Sequence, residues 1–173
     1  VAPPPIVAPE APRPRPAGFL VRLAAYLIDW LILICLVSFV TLPWNEELGQ
    51  MQTAAQTEMK RLSAAGPTET VKADWQVIGR YLLVMSSVEL PITFAYFILF
   101  NTLRGATPGK RIFGLRIVRL DGSPISLGQA VGRQFGYWLS FLPAGMGFLM
   151  ILMTPEKRAL HDLVARTQVV IQR

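Results

Sequence analysis

One stretch of the chain, RLAAYLIDWLILICLVSF over residues 22–39, is apolar enough to enter a bilayer, yet it begins with an arginine and carries an aspartate seven residues later. It lies within a helix predicted over residues 18–42, about 25 residues, which is enough to cross roughly 30 Å of hydrocarbon. Arg22, Tyr26 and Asp29 share one helix face, at i, i+4 and i+7, so that face should point at protein. A carboxylate at mid-bilayer costs about 2.5–3.5 kcal/mol on insertion scales. Asp29 therefore needs a partner, a bound cation, water or a proton.

Arg22 is separated from Asp29 by roughly 10 Å along the helix axis, too far for a tight pair in an extended rotamer. We expect its long side chain to reach the cytoplasmic lipid phosphates or to bind the carboxyl-terminal tail.

The composition indicates a membrane protein. Apolar residues make up 52 % of the chain and charged residues 16 %, and the mean hydropathy is +0.41, whereas about a quarter of an ordinary globular domain is charged. The net charge is +6, but the basic residues flank apolar segments and do not form a basic domain with interleaved aromatic residues. Phospholipid head groups explain them more simply, so the lipid bilayer is the expected partner and nucleic acid is not. The single cysteine, Cys35, excludes an intramolecular disulfide.

The chain divides into an arm and a membrane domain. Residues 1–16 contain seven prolines, a composition typical of an extended polyproline II arm, and lack the apolar core of a signal peptide. Residues 17–173 form the predicted membrane domain. Its parts are spans over residues 18–42, 75–103 and 126–153, an outer polar loop over 43–74 with a surface helix ending near Ala65, a basic loop over 104–125 and a basic tail over 154–173.

The charges of the loops predict the orientation. Residues 104–126 contain five Lys or Arg and one Asp, which places this loop and the amino terminus in the cytoplasm. Two strand-like runs, LRIVRL (115–120) and TQVVIQ (167–172), are most easily stabilised by pairing with each other, which requires one side of the membrane. We therefore favour a helical hairpin or re-entrant unit for residues 126–153, hinged at residues 143–147. The alternative is a third ordinary span that leaves the tail outside.

The predicted fold is accordingly an all-α integral membrane protein. It has two full transmembrane helices, a broken third apolar unit that is either a hairpin or a third span, and a small cytoplasmic two-stranded β element.

A second acid, Glu89, lies near the middle of the second span, and antiparallel spans would bring it to the depth of Asp29. Pro91 cannot donate to the helix and leaves a carbonyl free, while hydroxyl groups surround the same turn: Ser86, Ser87 and Thr93. Such an oxygen-rich cluster could hold a proton or a hard cation such as Na⁺. The alternative is that both acids are protonated, are hydrogen-bonded to their neighbours and only fix the helix packing.

Other patterns are weaker. Three glycines at every fourth position, Gly128, Gly132 and Gly136, would allow close helix packing. His161 and Asp162 suggest a helix cap or an ion pair with the GKR block, since no second histidine is present. There is no nucleophile elbow, P-loop or dinucleotide-binding glycine pattern, and GATPGKR leads into a strand signal and not a helix. We expect no enzymatic activity, no metal and no cofactor.

Three segments taken together, RLAAYLID, TPGKRIFGLRIVRLDGSPISLGQAVGRQ and KRALHDLVARTQVV, resemble the RDD family of bacterial membrane proteins over about residues 17–170. The resemblance implies that the arginine and two aspartates of the family correspond to Arg22, Asp29 and Asp162. It also implies a multi-pass protein of the bacterial cytoplasmic (inner) membrane. Transport of ions or small solutes has been suggested for the family. The proline-rich arm departs from the minimal family pattern.

Two functions are compatible with these observations. The first is an accessory or packing subunit of a larger membrane complex or homo-oligomer, whose partners are other membrane subunits or copies of itself, clamped by the arm. The second is an ion-coupled transporter or exchanger that uses the mid-membrane carboxylates for protons or Na⁺. So few spans scarcely enclose a pathway, which favours the first.

Overall fold

A computed structural model of the protein describes residues 15–65, 74–142 and 145–172. These residues form seven α-helices and one two-stranded sheet. In chain order the elements are α1 Phe19–Thr41, α2 Asn45–Ala64, α3 Trp75–Arg104, α4 Pro108–Ile112, β1 Leu115–Arg119, α5 Leu127–Phe141, α6 Met146–Met153, α7 Leu160–Val164 and β2 Thr167–Ile171, with a 3-10 turn at Leu42–Trp44 between α1 and α2. The mostly helical fold with a small sheet is thus confirmed.

Helices α1 and α3 are long and apolar enough to cross a membrane, and their bounds lie within one residue of the first two predicted spans. Only 17 % and 11 % of the residues in their most apolar stretches are buried within the protein. The remaining side chains need lipid or another protein subunit as a neighbour. Helix α3 continues through Pro91.

The third apolar unit is broken, as predicted. Helices α5 and α6 meet at an angle of 101°. Helix α5 begins with a capping box, in which the Ser126 hydroxyl accepts from the Gln129 backbone and the Gln129 side chain accepts from the Ser126 backbone. Residues 143 and 144 of the predicted hinge lie outside the described residues.

The two strand-like runs pair with each other, as predicted. Strands β1 and β2 are antiparallel, with Leu115 opposite Ile171 and Arg119 opposite Thr167. The other edge of β2 is covered by the end of the amino-terminal arm, since the Ile171 amide donates to the Arg15 carbonyl and the Ala17 amide donates to the Val169 carbonyl, both at 2.9 Å. The paired strands bring the residues before α5 and those after α7 to one place, so the two ends of the segment from α5 to α7 lie together. The predicted arm up to residue 14 lies outside the described residues.

A small apolar core joins the sheet to the helices. It contains Ala25 of α1, Ile117 of β1, Ala130 of α5 and Val169 of β2, all at most 1 % exposed. The segment GATPGKR leads into a strand, β1, as expected, but its TPGKR part first forms the short helix α4. This helix forms because Thr107 caps it and proline is favourable at the first helical position. Helix α2 packs along α3.

Candidate functional site

Asp29 is fully buried and accepts hydrogen bonds from three groups of the same chain. Oδ1 accepts from the Tyr96 hydroxyl and the Gly109 amide, both at 2.8 Å. Oδ2 accepts from the Thr107 hydroxyl at 2.5 Å. Thr107 and Gly109 belong to the first turn of α4, so the carboxylate of α1 caps a second helix whose free amide groups and dipole favour a negative charge.

Gly109 makes this cap possible. A Cβ atom at this position would lie 2.2 Å from the Ala25 carbonyl oxygen and 2.8 Å from Asp29 Oδ1. Any other residue would push α4 away from α1, because these distances are far below van der Waals contact. The glycine of the GKR block thus serves the close approach of two helices.

The structure does not bring the predicted oxygen cluster together. Glu89 is exposed on α3, whereas Tyr96, about 10 Å further along the same helix, is the α3 residue that reaches Asp29. The Ser86 and Ser87 hydroxyl groups donate to carbonyl groups of their own helix, at 3.1 Å and 2.7 Å. The expectation that the two acids share a depth assumed aligned helix midpoints, whereas Asp29 lies at the level of Tyr96, about two turns beyond Glu89 on α3. Thr93 is half-buried.

Asp162 lies at the centre of a second network, between two arginines. Arg22 Nη1 donates to Oδ2 and Arg133 Nη1 donates to Oδ1, each at 2.5 Å. The Ala159 amide also donates to Oδ2, at 3.2 Å, which caps α7. Burial by itself raises the pKa of Asp162, but the charges of Arg133 and Arg22, together with His161, hold that pKa well below its usual range.

The two arginines connect Asp162 to elements that are far apart in sequence. Arg22 also donates to the Lys157 carbonyl at 2.6 Å and to the Ala17 carbonyl at 3.0 Å. Arg133 also donates to the Thr167 hydroxyl. The network therefore fixes α1, α5 and the tail with β2 against one another. Arg22 was expected either to reach the lipid phosphates or to bind the carboxyl-terminal tail, and in the structure it binds the tail.

His161 is buried beside Asp162, with its Nε2 at 3.6 Å from Oδ1. Its ring packs 4.1 Å from the Tyr137 ring and 5.6 Å from the Phe148 ring, measured between centroids. Burial lowers the pKa of His161 to about 3, against the attraction of Asp162, so the imidazole is neutral at physiological pH. No group of three or more metal-ligating side chains occurs within the described parts of the chain.

The three glycines of α5 differ in their surroundings. A Cβ atom on Gly136 would lie 2.8 Å from the His161 Cα, whereas Gly128 and Gly132 have nothing within 4 Å of that position. The close helix contact at the end of the predicted stripe is thus between α5 and α7.

Sequence reasoning missed Arg133, Tyr96, Thr107 and Lys110. One signal was available for Arg133, since it is the only charged residue in the apolar zone 126–153, and a charge in such a segment needs a partner. Tyr96 and Thr107 carry no such signal, because a tyrosine or threonine near a helix end is common.

Comparison with known proteins identifies the family of this chain. The sequence model of the RDD family matches residues 16–166, a range that includes Arg22, Asp29 and Asp162. The chain belongs to the RDD family. Three relatives come from Bacillus subtilis (strain 168). Uncharacterized protein YxaI is 30 % identical over 90 % of this chain and 97 % of its own length; Uncharacterized protein YckC is 29 % identical over 90 % and 84 %; Uncharacterized membrane protein YteJ is 26 % identical over 89 % and 80 %.

No solved structure matches the chain. RDD family proteins are membrane proteins, and the two long apolar helices of this chain fit that class. In this RDD protein, the arginine and two aspartates stand in two separate networks. Asp29 caps α4, and Arg22 and Asp162 join α1 to the tail.

Proposed function

We propose that this RDD protein is an accessory or packing subunit of a larger membrane complex or homo-oligomer in the bacterial cytoplasmic membrane. One observation carries the proposal: both buried aspartates have their carboxylate oxygens bound by fixed donors of the same chain. Charges used in this way hold elements together and are not free to exchange a proton or a cation during a transport cycle.

The surface that remains for function is apolar. Large side chains on α1, including Leu27, Trp30 and Leu31, are each more than half exposed. Lipid tails or a neighbouring subunit can cover them, because either one keeps these apolar side chains out of water. The proposal assigns part of this surface to protein contacts.

We propose a multi-pass topology with the amino terminus and the tail in the cytoplasm. The basic loop and tail support this orientation through the positive-inside rule. The pairing of β1 with β2 and of Arg15–Ala17 with β2 supports one side for all three segments.

The subunit role is tested by extracting the full chain from its native membrane together with its lipids and measuring the mass of the resulting particle. We expect a particle that holds several copies or a stoichiometric partner subunit. A particle with one copy and lipid alone contradicts the proposal. Deleting residues 1–14 should weaken this association while membrane insertion persists, because the apolar helices supply insertion.

The alternative, ion-coupled transport, is tested by flux in vesicles that contain equal amounts of wild-type protein and Asp29→Asn. The subunit proposal expects no flux of protons, Na⁺ or K⁺ above that of empty vesicles. Wild-type flux that Asp29→Asn abolishes would establish the transport function instead, because the amide keeps the shape of Asp29 and lacks its charge.

A further inference from the structure

A cavity of about 480 Å³ lies between α1, α5, α6 and α7, next to the Asp162 network. This volume falls in the range of small-molecule sites, roughly 300–1,000 Å³. Its walls combine two kinds of surface, one basic and one apolar.

The basic side of the cavity is formed by Arg22, Lys110 and Arg133, with Tyr137 and His161 beside them. No acidic side chain is among the described residues that line the cavity. Asp162 is bound to the two arginines, which leaves an excess of positive charge on this side. Lys110 is 6 % exposed, and its ammonium group lies 5.7 Å from the centre of the Phe97 ring.

Arg133 is one of the lining residues and carries two buried donors without a partner among the described residues. Its side chain is 1 % exposed, and Nη1 is bound to Asp162 and Thr167, while Nε and Nη2 have no hydrogen-bond partner within the described residues. The Tyr137 phenol lies close enough to this guanidinium to interact with it through charge and a weak polar contact, but it forms no hydrogen bond of accepted distance and angle with Nε or Nη2. Unsatisfied buried donors are rare because each has lost its contact with water without gaining a partner in the protein.

The free atoms of Arg133 form a defined recognition edge. Nε–H and one Nη2–H of a guanidinium point in the same direction and can bind two oxygens of one carboxylate or phosphate. These vacant polar atoms call for an anionic group with at least two adjacent oxygens.

The other part of the cavity lining is mostly apolar. Leu23 of α1, Phe141 of α5, and Phe148, Leu149 and Ile151 of α6 belong to it. Phe141 is 75 % exposed and Leu149 is 46 % exposed, so this part opens towards the surface that lipid would cover. A small hydrated anion would gain nothing from these walls, whereas a hydrocarbon chain would be buried by them.

We propose that this cavity binds a single-chain anionic amphiphile, whose carboxylate or phosphate head group lies on the Nε–Nη2 edge of Arg133 and whose hydrocarbon tail lies along α1 and α6. Lys110 and Arg22 neutralise the head group. One acyl chain suits the size of the cavity better than two.

The experiment uses the full chain in nanodiscs of zwitterionic phosphatidylcholine. The probes are radiolabelled oleate and 1-oleoyl lysophosphatidate, which differ in head group. Unlabelled monooleoylglycerol, acetate and inorganic phosphate serve as competitors that carry the tail alone or the head alone. We expect saturable binding of at least one labelled amphiphile, and no competition by the other three compounds at the same concentration.

Variants locate the site. Leu149→Trp fills the cavity and should abolish binding, whereas Leu152→Trp, on the same helix but not among the lining residues, should not change it. Arg133→Lys keeps the charge but lacks the two-donor edge, and should weaken binding about tenfold or more. Lys110→Met should weaken it as well, which covers the case in which Arg133→Lys fails to fold.

Two classes of result overturn the proposal. One is the absence of saturable binding of both amphiphiles, or equal binding by wild type and Leu149→Trp. The other is full competition by acetate or phosphate, which would identify a site for a free anion, or by monooleoylglycerol, which would identify an apolar site without head-group recognition.

Discussion

Asp162 is a buried carboxylate held between two arginines, so its charge is balanced inside the protein and not by water. Breaking such a network by removing one partner is costly, because the opposite charges stay buried without compensation. Asp29 is different, since its three donors are neutral groups. The two aspartates of the family signature should therefore respond differently to the same substitution.

For Asp162→Asn we expect a loss of about 3–5 kcal/mol in the free energy of unfolding, because Arg22 and Arg133 lose their counter-charge. Thermal unfolding in mild detergent measures it. Glu156→Gln, an exposed acid near the same helix, is the control and should stay within about 0.5 kcal/mol. Equal stability of the two variants would contradict the role given to Asp162.

For Asp29→Asn we expect little change in stability. The amide oxygen can accept from Tyr96 and Gly109, and the amide nitrogen can donate to the Thr107 hydroxyl. Asp29→Leu leaves all three donors unsatisfied and should cost about 1–3 kcal/mol for each donor that stays buried. Unfolding curves of the two variants decide it, and similar losses in both would show that the charge itself is needed.

We expect acidification to destabilise the protein through His161. Its pKa is about 3 in the folded protein and about 6.5 when unfolded, so the unfolded chain binds more protons between these values. The contribution of His161 to the free energy of unfolding should be fully present above pH 6.5. It should decrease as the pH is lowered, by up to about 1.4 kcal/mol per pH unit. His161→Phe should flatten the dependence between pH 6.5 and 4.5. The contribution of Asp162, whose folded pKa is also depressed, is lost only below about pH 3.9.

At the scale of elements, close contacts between helices depend on single glycines. Gly109 lets α4 reach the α1 backbone, Gly136 lets α5 reach α7, and Gly147 lets α6 reach Ser140 of α5, where a Cβ atom would lie 2.5 Å from the Ser140 Cα. Each contact holds in place one of the helices that form the Asp29 cap, the Asp162 network or the cavity. The nearest neighbouring atom at each of the three glycines is a backbone atom, so it cannot move aside cheaply.

Two alanine substitutions on α5 separate packing from helix propensity. Gly136→Ala should destabilise the protein by about 1–3 kcal/mol because of the contact with His161. Gly132→Ala, one turn earlier with open space around it, should be neutral or stabilise by up to about 1 kcal/mol. Unfolding of both in the same detergent checks this. Destabilisation by Gly132→Ala would reveal that a partner covers that face.

At the scale of the whole molecule, the tail is bound to the start of α1. Arg15–Ala17, β1 and β2 form one hydrogen-bonded unit, and the Arg22–Asp162 pair joins residues 140 positions apart. We therefore expect the amino-terminal end of α1, the loop before α5 and the tail to lie on one side of the bilayer.

Labelling of single cysteines tests this topology. On a Cys35→Ser background, Val1→Cys and Arg173→Cys should react with an impermeant maleimide from the same face of oriented membranes. Thr53→Cys, in the exposed α2 helix, should react from the opposite face because α1 separates it from the amino terminus. Labelling of the two termini from opposite faces would contradict the paired strands in the membrane-embedded protein.

The sequence by itself determined the elements whose signals are local: the bounds of α1 and α3, the break in the third apolar unit and the two strands that pair. The length of an apolar run specifies a spanning helix, and a run of β-branched residues specifies a strand. Both signals come from residues that are close together in the sequence. Only the tertiary structure decided which buried charges meet. Glu89 and Asp29 have similar positions in their helices, but Asp29 is bound by donors of α3 and of the α4 turn, whereas Glu89 is exposed. The Arg22–Asp162–Arg133 network and its cavity likewise depend on how α1, α5 and the tail pack, because contacts between residues far apart in sequence are set by backbone geometry and close packing and not by local patterns.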